Sequence, residues 1–213
     1  GDIEDRERSV FHLHFNRGKK SIVLDTDNAE DANILGRLID SADILVDAFP
    51  RRDSDKLGLD GDILRTRNPR LVSVSVSPFG REGSNRDYQG DDLISLASSG
   101  YMAWAGDNTR PPVVAPAFQG WQLGGLYGAL ASLLALRDRS KTGLGQSIDL
   151  SIQQALAHSY GIIGYIAGHD VVRRIGVSSF SGHQIYACAD GYLLMSPFSN
   201  KSWQLLAQEW MED

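Results

Sequence analysis

The sequence predicts an α/β fold built on a parallel sheet, and three observations carry that expectation. Short apolar runs each closing on an aspartate, SIVLD at Ser21–Asp25 and DILVD at Asp43–Asp47, are separated by an amphipathic segment. A third run, LVSVSV at Leu71–Val76, follows the turn signal Asn68-Pro69-Arg70. Helical periods stand between and after these runs, and such alternation calls for a parallel sheet covered on both faces.

Taken in order, the first strand, Ser21–Asp25, is entered through the basic turn Asn16-Arg17-Gly18-Lys19-Lys20. Asn28 has the chemistry of an N-cap for a helix over Ala29–Asp40, with Ala32, Ile34, Leu35 and Leu38 on one face. After DILVD and Phe49-Pro50, a polar segment with Lys56, Leu57 and Gly58 leads to a short helix near Asp60–Thr66. The third strand is followed by a glycine- and charge-rich loop (Gly80–Gly90), a short helix (Asp91–Ser99) and a second loop (Gly100–Pro116).

The longest helix is predicted over Trp121–Asp138. Leu123, Leu126, Tyr127, Leu130, Leu133 and Leu134 recur at the spacing of an apolar helical stripe. Gly124, Gly128, Ala131 and Ala135 form a second stripe of small residues. Glycine inside a helix costs about 1 kcal/mol relative to alanine, so this stripe marks the close approach of another backbone or a ligand. Thr142-Gly143-Leu144-Gly145 ends the helix, and another is predicted from Ile148 to Gly168. Serine-rich residues 169–182 read as a linker, His183–Phe198 as a hairpin turning at Ala189-Asp190-Gly191, and Lys201–Met211 as a helix. The expected organisation is a large domain over residues 1–168, a linker at 169–182, and the beginning of a smaller domain at 183–213.

The bulk chemistry bounds the function. The 213 residues are 42% hydrophobic and 23% charged, the balance of a globular protein. Acids outnumber bases 27 to 21, for a formal charge of −6, which argues against a nucleic-acid partner. The lone cysteine, Cys188, allows no internal disulfide and fits a reducing, cytoplasmic setting. Neither a signal peptide nor a membrane-length apolar run is present in the sequence. The chain opens GDIEDRERSVF and closes QEWMED, and reads as an internal piece of a longer protein or as one with missing ends.

Fingerprints of common chemistries are missing. His12, His14, His158, His169 and His183 have no zinc-ligand spacing. Neither GxxxxGK[ST], GxGxxG nor GxSxG occurs. Arg17, Lys19 and Lys20 either meet a phosphate or stand solvated in their turn. Cys188, within YACAD, reads as packing. The paired carboxylates Asp91-Asp92 at a helix start serve acid–base work or simply the helix dipole.

A series of segments resembles the family III CoA-transferases, the group of formyl-CoA transferase, carnitine CoA-transferase and α-methylacyl-CoA racemase. They are Asn16-Arg17-Gly18-Lys19-Lys20-Ser21 into Val23-Leu24-Asp25, Ala42–Phe49, Lys56-Leu57-Gly58-Leu59, Asn68–Leu71, Pro78-Phe79-Gly80, Ala97–Gly100, and Gly125-Leu126-Tyr127 through Arg139, Thr142-Gly143 and Gly145-Gln146. Each is weak alone; their order and spacing across nearly the whole chain make the resemblance specific. It implies a Rossmann-like large domain with an open parallel sheet, the start of a smaller α+β domain, and two subunits interlocked as a homodimer, or a tandem-domain partner. It implies no covalently bound cofactor, with coenzyme A or acyl-CoA as substrate and a carboxylic acid as acceptor. The CoA-binding positions it implies are Leu24, Asp25, Thr26, Asp27, Ala48, Phe49, Lys56, Gln89, Gly90, Asp91 and Asp92. Ala48 departs from the family's usual asparagine, and Pro50-Arg51 reverses its usual Arg-Pro.

The resemblance also implies a nucleophilic aspartate at the head of the long helix, forming acyl anhydride and thioester intermediates. Its position falls on Trp121, or on Gly120 by the racemase pattern, and Gln119–Gln122 include no carboxylate. Asp91 stands where racemases place a histidine. Three readings follow: an active transferase using Asp91, Asp92, Asp107 or another domain's aspartate; a CoA-binding but catalytically silent half; and, without any glycine fingerprint to support it, an unrelated nucleotide-binding module.

Overall fold

The computed structural model describes residues 9–103, 109–159, 184–195 and 199–210. The linker expected at 169–182, Asp107, His169 and His183 lie outside them. Contacts divide the chain into two units, Gly1–Ala42 and Asp43–Asp213.

The first unit holds two helices, α1 (Val10–Phe15) and α2 (Ala29–Ser41). Asn28 caps α2 as its chemistry predicts, its Oδ1 accepting the Glu30 amide at 2.8 Å. The strand expected at Ser21–Asp25 does not form. Val23 is 92% exposed and Ile22 60%. An apolar run becomes a strand only where a neighbouring strand completes its ladder, and the run itself does not encode that neighbour.

In the second unit, β1 (Ile44–Asp47), β2 (Val72–Ser77) and β3 (Ser147–Ser151) form a parallel sheet in the order β1-β2-β3. Ile44 faces Val72, and Ser73 faces Ser147. Helices α3 (Arg51–Lys56) and α4 (Gly61–Arg67) connect β1 to β2. Helices α5 (Asp92–Ser98) and α6 (Gln119–Thr142) lie between β2 and β3, and α7 (Ile152–Ser159) follows. Strands β4 (Gln184–Ala187) and β5 (Tyr192–Met195) pair as the expected antiparallel hairpin, and α8 spans Asn200–Trp210.

The alternation in VSVSVS puts different chemistry on the two faces of β2. Val72, Val74 and Val76 join Leu96, Leu150, Ile152 and Leu156 in the core cluster. The serines line the other face, where α4 packs so closely that a Cβ on Gly61 would stand 2.3 Å from Ser147 Oγ.

One expectation is corrected. The helix predicted from Ile148 begins at Ile152, because Ser147–Ser151 pairs with β2; a five-residue run feeding directly into a helix hides its period of two. The apolar stripe of α6 divides: Leu123 and Tyr127 pack against the core cluster, and the rest does not. Leu126, Leu130, Leu133 and Leu134 are 53–64% exposed, whereas Gly120, Gly124, Gly128, Ser132 and Ala135 are buried. The small residues let the helix settle on the sheet: a Cβ on Gly124 would lie 3.0 Å from Ile152 Cγ1, and one on Gly128 3.7 Å from Val74 Cγ1.

The Gly-Leu-Gly stop is built as the sequence implies. Gly143 takes φ 77° at the helix end, and its amide donates to Arg139 O at 2.8 Å. Arg139, in the last turn, donates to Arg70 O (2.8 Å) and Asp43 Oδ1 (2.7 Å), tying α6 to the chain entering β1 and β2.

Candidate functional site

Ligands of open α/β sheets gather at the carboxyl ends of the strands. There, in the second unit, a cavity of about 810 Å³ opens beside the ends of β1 and β2, the start of α3, the loop after β2 and the head of α6. Phe49, Tyr88 and Trp121 give it aromatic walls; Arg51, Arg52, Arg81 and Arg86 give it positive charge.

The wall is set by one buried polar cluster. Asp47, the last residue of β1, is 4% exposed. Its Oδ1 accepts the Phe49 amide at 2.8 Å, and its Oδ2 accepts the Ser54 hydroxyl and Arg81 Nη2. Arg81 also donates to Ser54 Oγ (2.6 Å) and to Ser75 Oγ, while its amide donates to Asp149 Oδ2 at 2.8 Å. One guanidinium thus joins the loop after β2 to β1, β2 and α3, and its amide reaches β3. Gly80 (φ 83°) makes the turn that permits this. The loop then closes on itself, with Phe79 edge-on to Tyr88 at 6.2 Å. A Cβ on Gly90 would lie 3.0 Å from Pro78 Cβ.

The other arginines are less committed. Arg51 pairs with Asp55 and Asp87, each at 3.6 Å, and Arg86 with Asp87 at 3.4 Å. These are exposed contacts, which an anionic ligand displaces at little cost.

The head of α6 is unusual. Ala117 and Phe118 both have positive φ, 65° and 54°, a conformation disfavoured for residues with a Cβ. Phe118 supplies no side-chain cap. Asp92 acts instead from α5: its buried carboxylate accepts the Trp121 amide at 3.1 Å, where the helix dipole favours negative charge. A Cβ on Gly120 would stand 2.8 Å from that same oxygen. Position 120 therefore admits no side chain without displacing Asp92, and a second carboxylate there would meet the first. Trp121 turns to the cavity.

The structure brings four of the anticipated binding residues, Ala48, Phe49, Gln89 and Gly90, to the cavity. Asp91 caps α5 through the Ile94 amide (2.9 Å), Asp92 sits behind Trp121, and Lys56 ends α3; none of the three lines the cavity. Leu24, Asp25, Thr26 and Asp27 belong to the first unit, in the turn before α2, where the Asp25 amide donates to Asp31 Oδ2 at 2.8 Å. Arg51, Arg52, Arg81, Arg86 and Tyr88 were not anticipated. Their signal was arginine density directly after strand ends. Among the described residues, no three His, Cys, Asp or Glu side chains gather as a metal site.

The profile of CoA-transferase family III matches residues 1–213. The chain belongs to this family. It is 32% identical over 209 residues to a subunit of succinyl-CoA:(R)-benzylsuccinate CoA-transferase from Thauera aromatica, covering 97% of this chain and 51% of the relative. It is 39% identical over 159 residues to human α-methylacyl-CoA racemase, covering 72% and 41%. A CAIB/BAIF family protein from Brucella suis superposes with a TM-score of 0.75 at 27% identity, over 90% of this chain and 52% of that one. The chain thus spans about half the length of the curated relatives it matches. Among the described residues no helix is long and apolar enough to cross a membrane.

Proposed function

We propose that this chain carries the coenzyme A site of a CoA-transferase, serving transfer of CoA between carboxylic acids. The observation that carries the reading is the cavity at the strand ends, lined by Arg51, Arg52, Arg81 and Arg86 together with Phe49, Tyr88 and Trp121. Arg51, Arg52 and Arg86 suit the phosphates of CoA, and Phe49 or Tyr88 suits the face of its adenine. The test is calorimetric titration of the full chain with CoA. Binding is expected, and the Arg52→Glu/Arg86→Glu double variant should bind at least about tenfold more weakly, with a shallower salt dependence. A flat titration of the folded parent, or a variant binding as well as the parent, overturns the reading.

A second reading, that the chain binds CoA but leaves the covalent chemistry to another domain or subunit, is favoured by one feature. Gln119–Gln122 hold no carboxylate, and the space beside Gly120 is occupied by Asp92, already engaged as a helix cap. The exposed leucine face of α6 suits a subunit contact, homodimeric or tandem, for such a half. Incubation with an acyl-CoA followed by hydroxylamine or borohydride trapping should leave every carboxylate of this chain unmodified. An adduct on Asp91, Asp92 or Asp107 would restore the self-sufficient enzyme.

A further inference from the structure

We propose that Trp121 determines which acyl group the site accepts, selecting thioesters of apolar, ring-bearing carboxylic acids over those of short dicarboxylic acids. The inference rests on the CoA reading above and deepens it. Three features of Trp121 carry it.

The first is position. Trp121 lines the cavity while part of its side chain packs against the core cluster. Val76, itself in that core cluster and 3.6 Å (Cγ1) from where a Cβ on Gly124 would stand, lines the same cavity and adds apolar surface.

The second is rigidity. The Trp121 amide is held by Asp92, and Gly120 and Gly124 on either side are seated against α7 side chains. Through Phe118 O, the Gln122 amide closes the first turn at 3.0 Å. An indole on so fixed a backbone presents a preformed surface, so a flat apolar group gains contact there with little ordering cost.

The third is charge. The arginines held only by exposed ion pairs, Arg51 and Arg86, belong to α3 and the loop after β2. Arg81 is committed to Asp47, Ser54 and Ser75. Asp92 holds a negative charge at the Trp121 amide, and Asp53 and Asp87 also line the cavity, so a second carboxylate meets repulsion there. A dicarboxylic acyl group placed against Trp121 would lose water from its free carboxylate and gain no cation, whereas a phenyl ring would gain its apolar transfer energy.

The test compares binding of phenylacetyl-CoA, succinyl-CoA and free CoA to the full chain by calorimetry. Phenylacetyl-CoA is expected to bind roughly tenfold or more tightly than free CoA, the gain from burying one aromatic ring, and succinyl-CoA no more tightly than free CoA. In Trp121→Ala the phenylacetyl preference should collapse to within about twofold, and Trp121→Phe should keep most of it. Trp121→Gln, which retains bulk over the core, carries the same comparison if the alanine variant does not fold. A preference that survives Trp121→Ala or Trp121→Gln, or equal binding of all three ligands by the parent, overturns the proposal and leaves the CoA reading standing. Failure of all three to bind overturns both.

Discussion

Gly145→Ala is expected to lower stability by about 3 kcal/mol or more, read as a fall in the denaturant midpoint with unchanged slope. The cause is a collision with backbone that has no freedom to yield. A Cβ at 145 would stand 2.0 Å from Leu71 O and 2.4 Å from Leu71 C. Leu71 directly precedes the central strand and is itself buried. The Gly145 amide donates to Pro69 O at 2.8 Å, so the glycine cannot retreat without losing that bond. On its other side, Ser73 N donates to Gln146 O at 2.9 Å, the first rung holding β3 to β2. A shift large enough to admit a methyl group would break the start of this parallel pair. Gly143→Ala provides the comparison: its φ of 77° disfavours a side chain, but nothing lies within 4 Å of the added carbon. That variant should lose only about 1 kcal/mol. Equal losses at the two positions would show that the close approach at Gly145 is not tight in solution.

The contrast between these glycines also measures what the chain discloses before it folds. Gly143 was legible, because a glycine after a basic last turn is a local signal with a local cause. Gly145 was legible only as part of a recurring segment; its reason is a strand about 74 residues earlier, which no local pattern contains. The same divide runs through the fold. Asn28 announced a helix start with its own side chain, which accepts the amide two residues on, and Asp60 does the same at the head of α4. Ser147–Ser151, by contrast, is a strand only because β2 lies beside it. The leucines of α6 left their partner open, for a physical reason. Periodicity reports that a face is apolar, not which partner covers it, and here the sheet selects the flatter glycine face. At the site, Phe49 and Gly90 were read from the resemblance, but Asp92's cap on Trp121 joins two helices 29 residues apart. Arg81 appeared only as one charge in a charged loop, although it is the residue on which that loop converges.

Asp47→Ala should be the most damaging single change at the site, costing about 3–5 kcal/mol, the loss expected when one partner of a buried ion pair is removed. Three groups depend on this carboxylate. Arg81, with only 18% of its side chain exposed, loses its buried counter-charge and keeps only the more exposed Asp55 at 3.6 Å. Ser54, fully buried, loses the acceptor of its hydroxyl. The Phe49 amide loses the oxygen that fixes the turn into α3. Because that turn and Arg81 both face the cavity, ligand affinity should fall together with stability. Asp47→Asn separates the two contributions: its amide oxygen can still accept from Phe49 or Ser54, while the charge facing Arg81 is gone, so its loss should be intermediate. The coupling is read from a double-mutant cycle. Removing Arg81 in the Asp47→Ala background should cost much less than removing it from the parent, because Arg81 has then already lost its buried partner. If the two losses simply add, Asp47 and Arg81 act independently, and the strand end, α3 and the loop after β2 are held to one another by packing rather than by this pair.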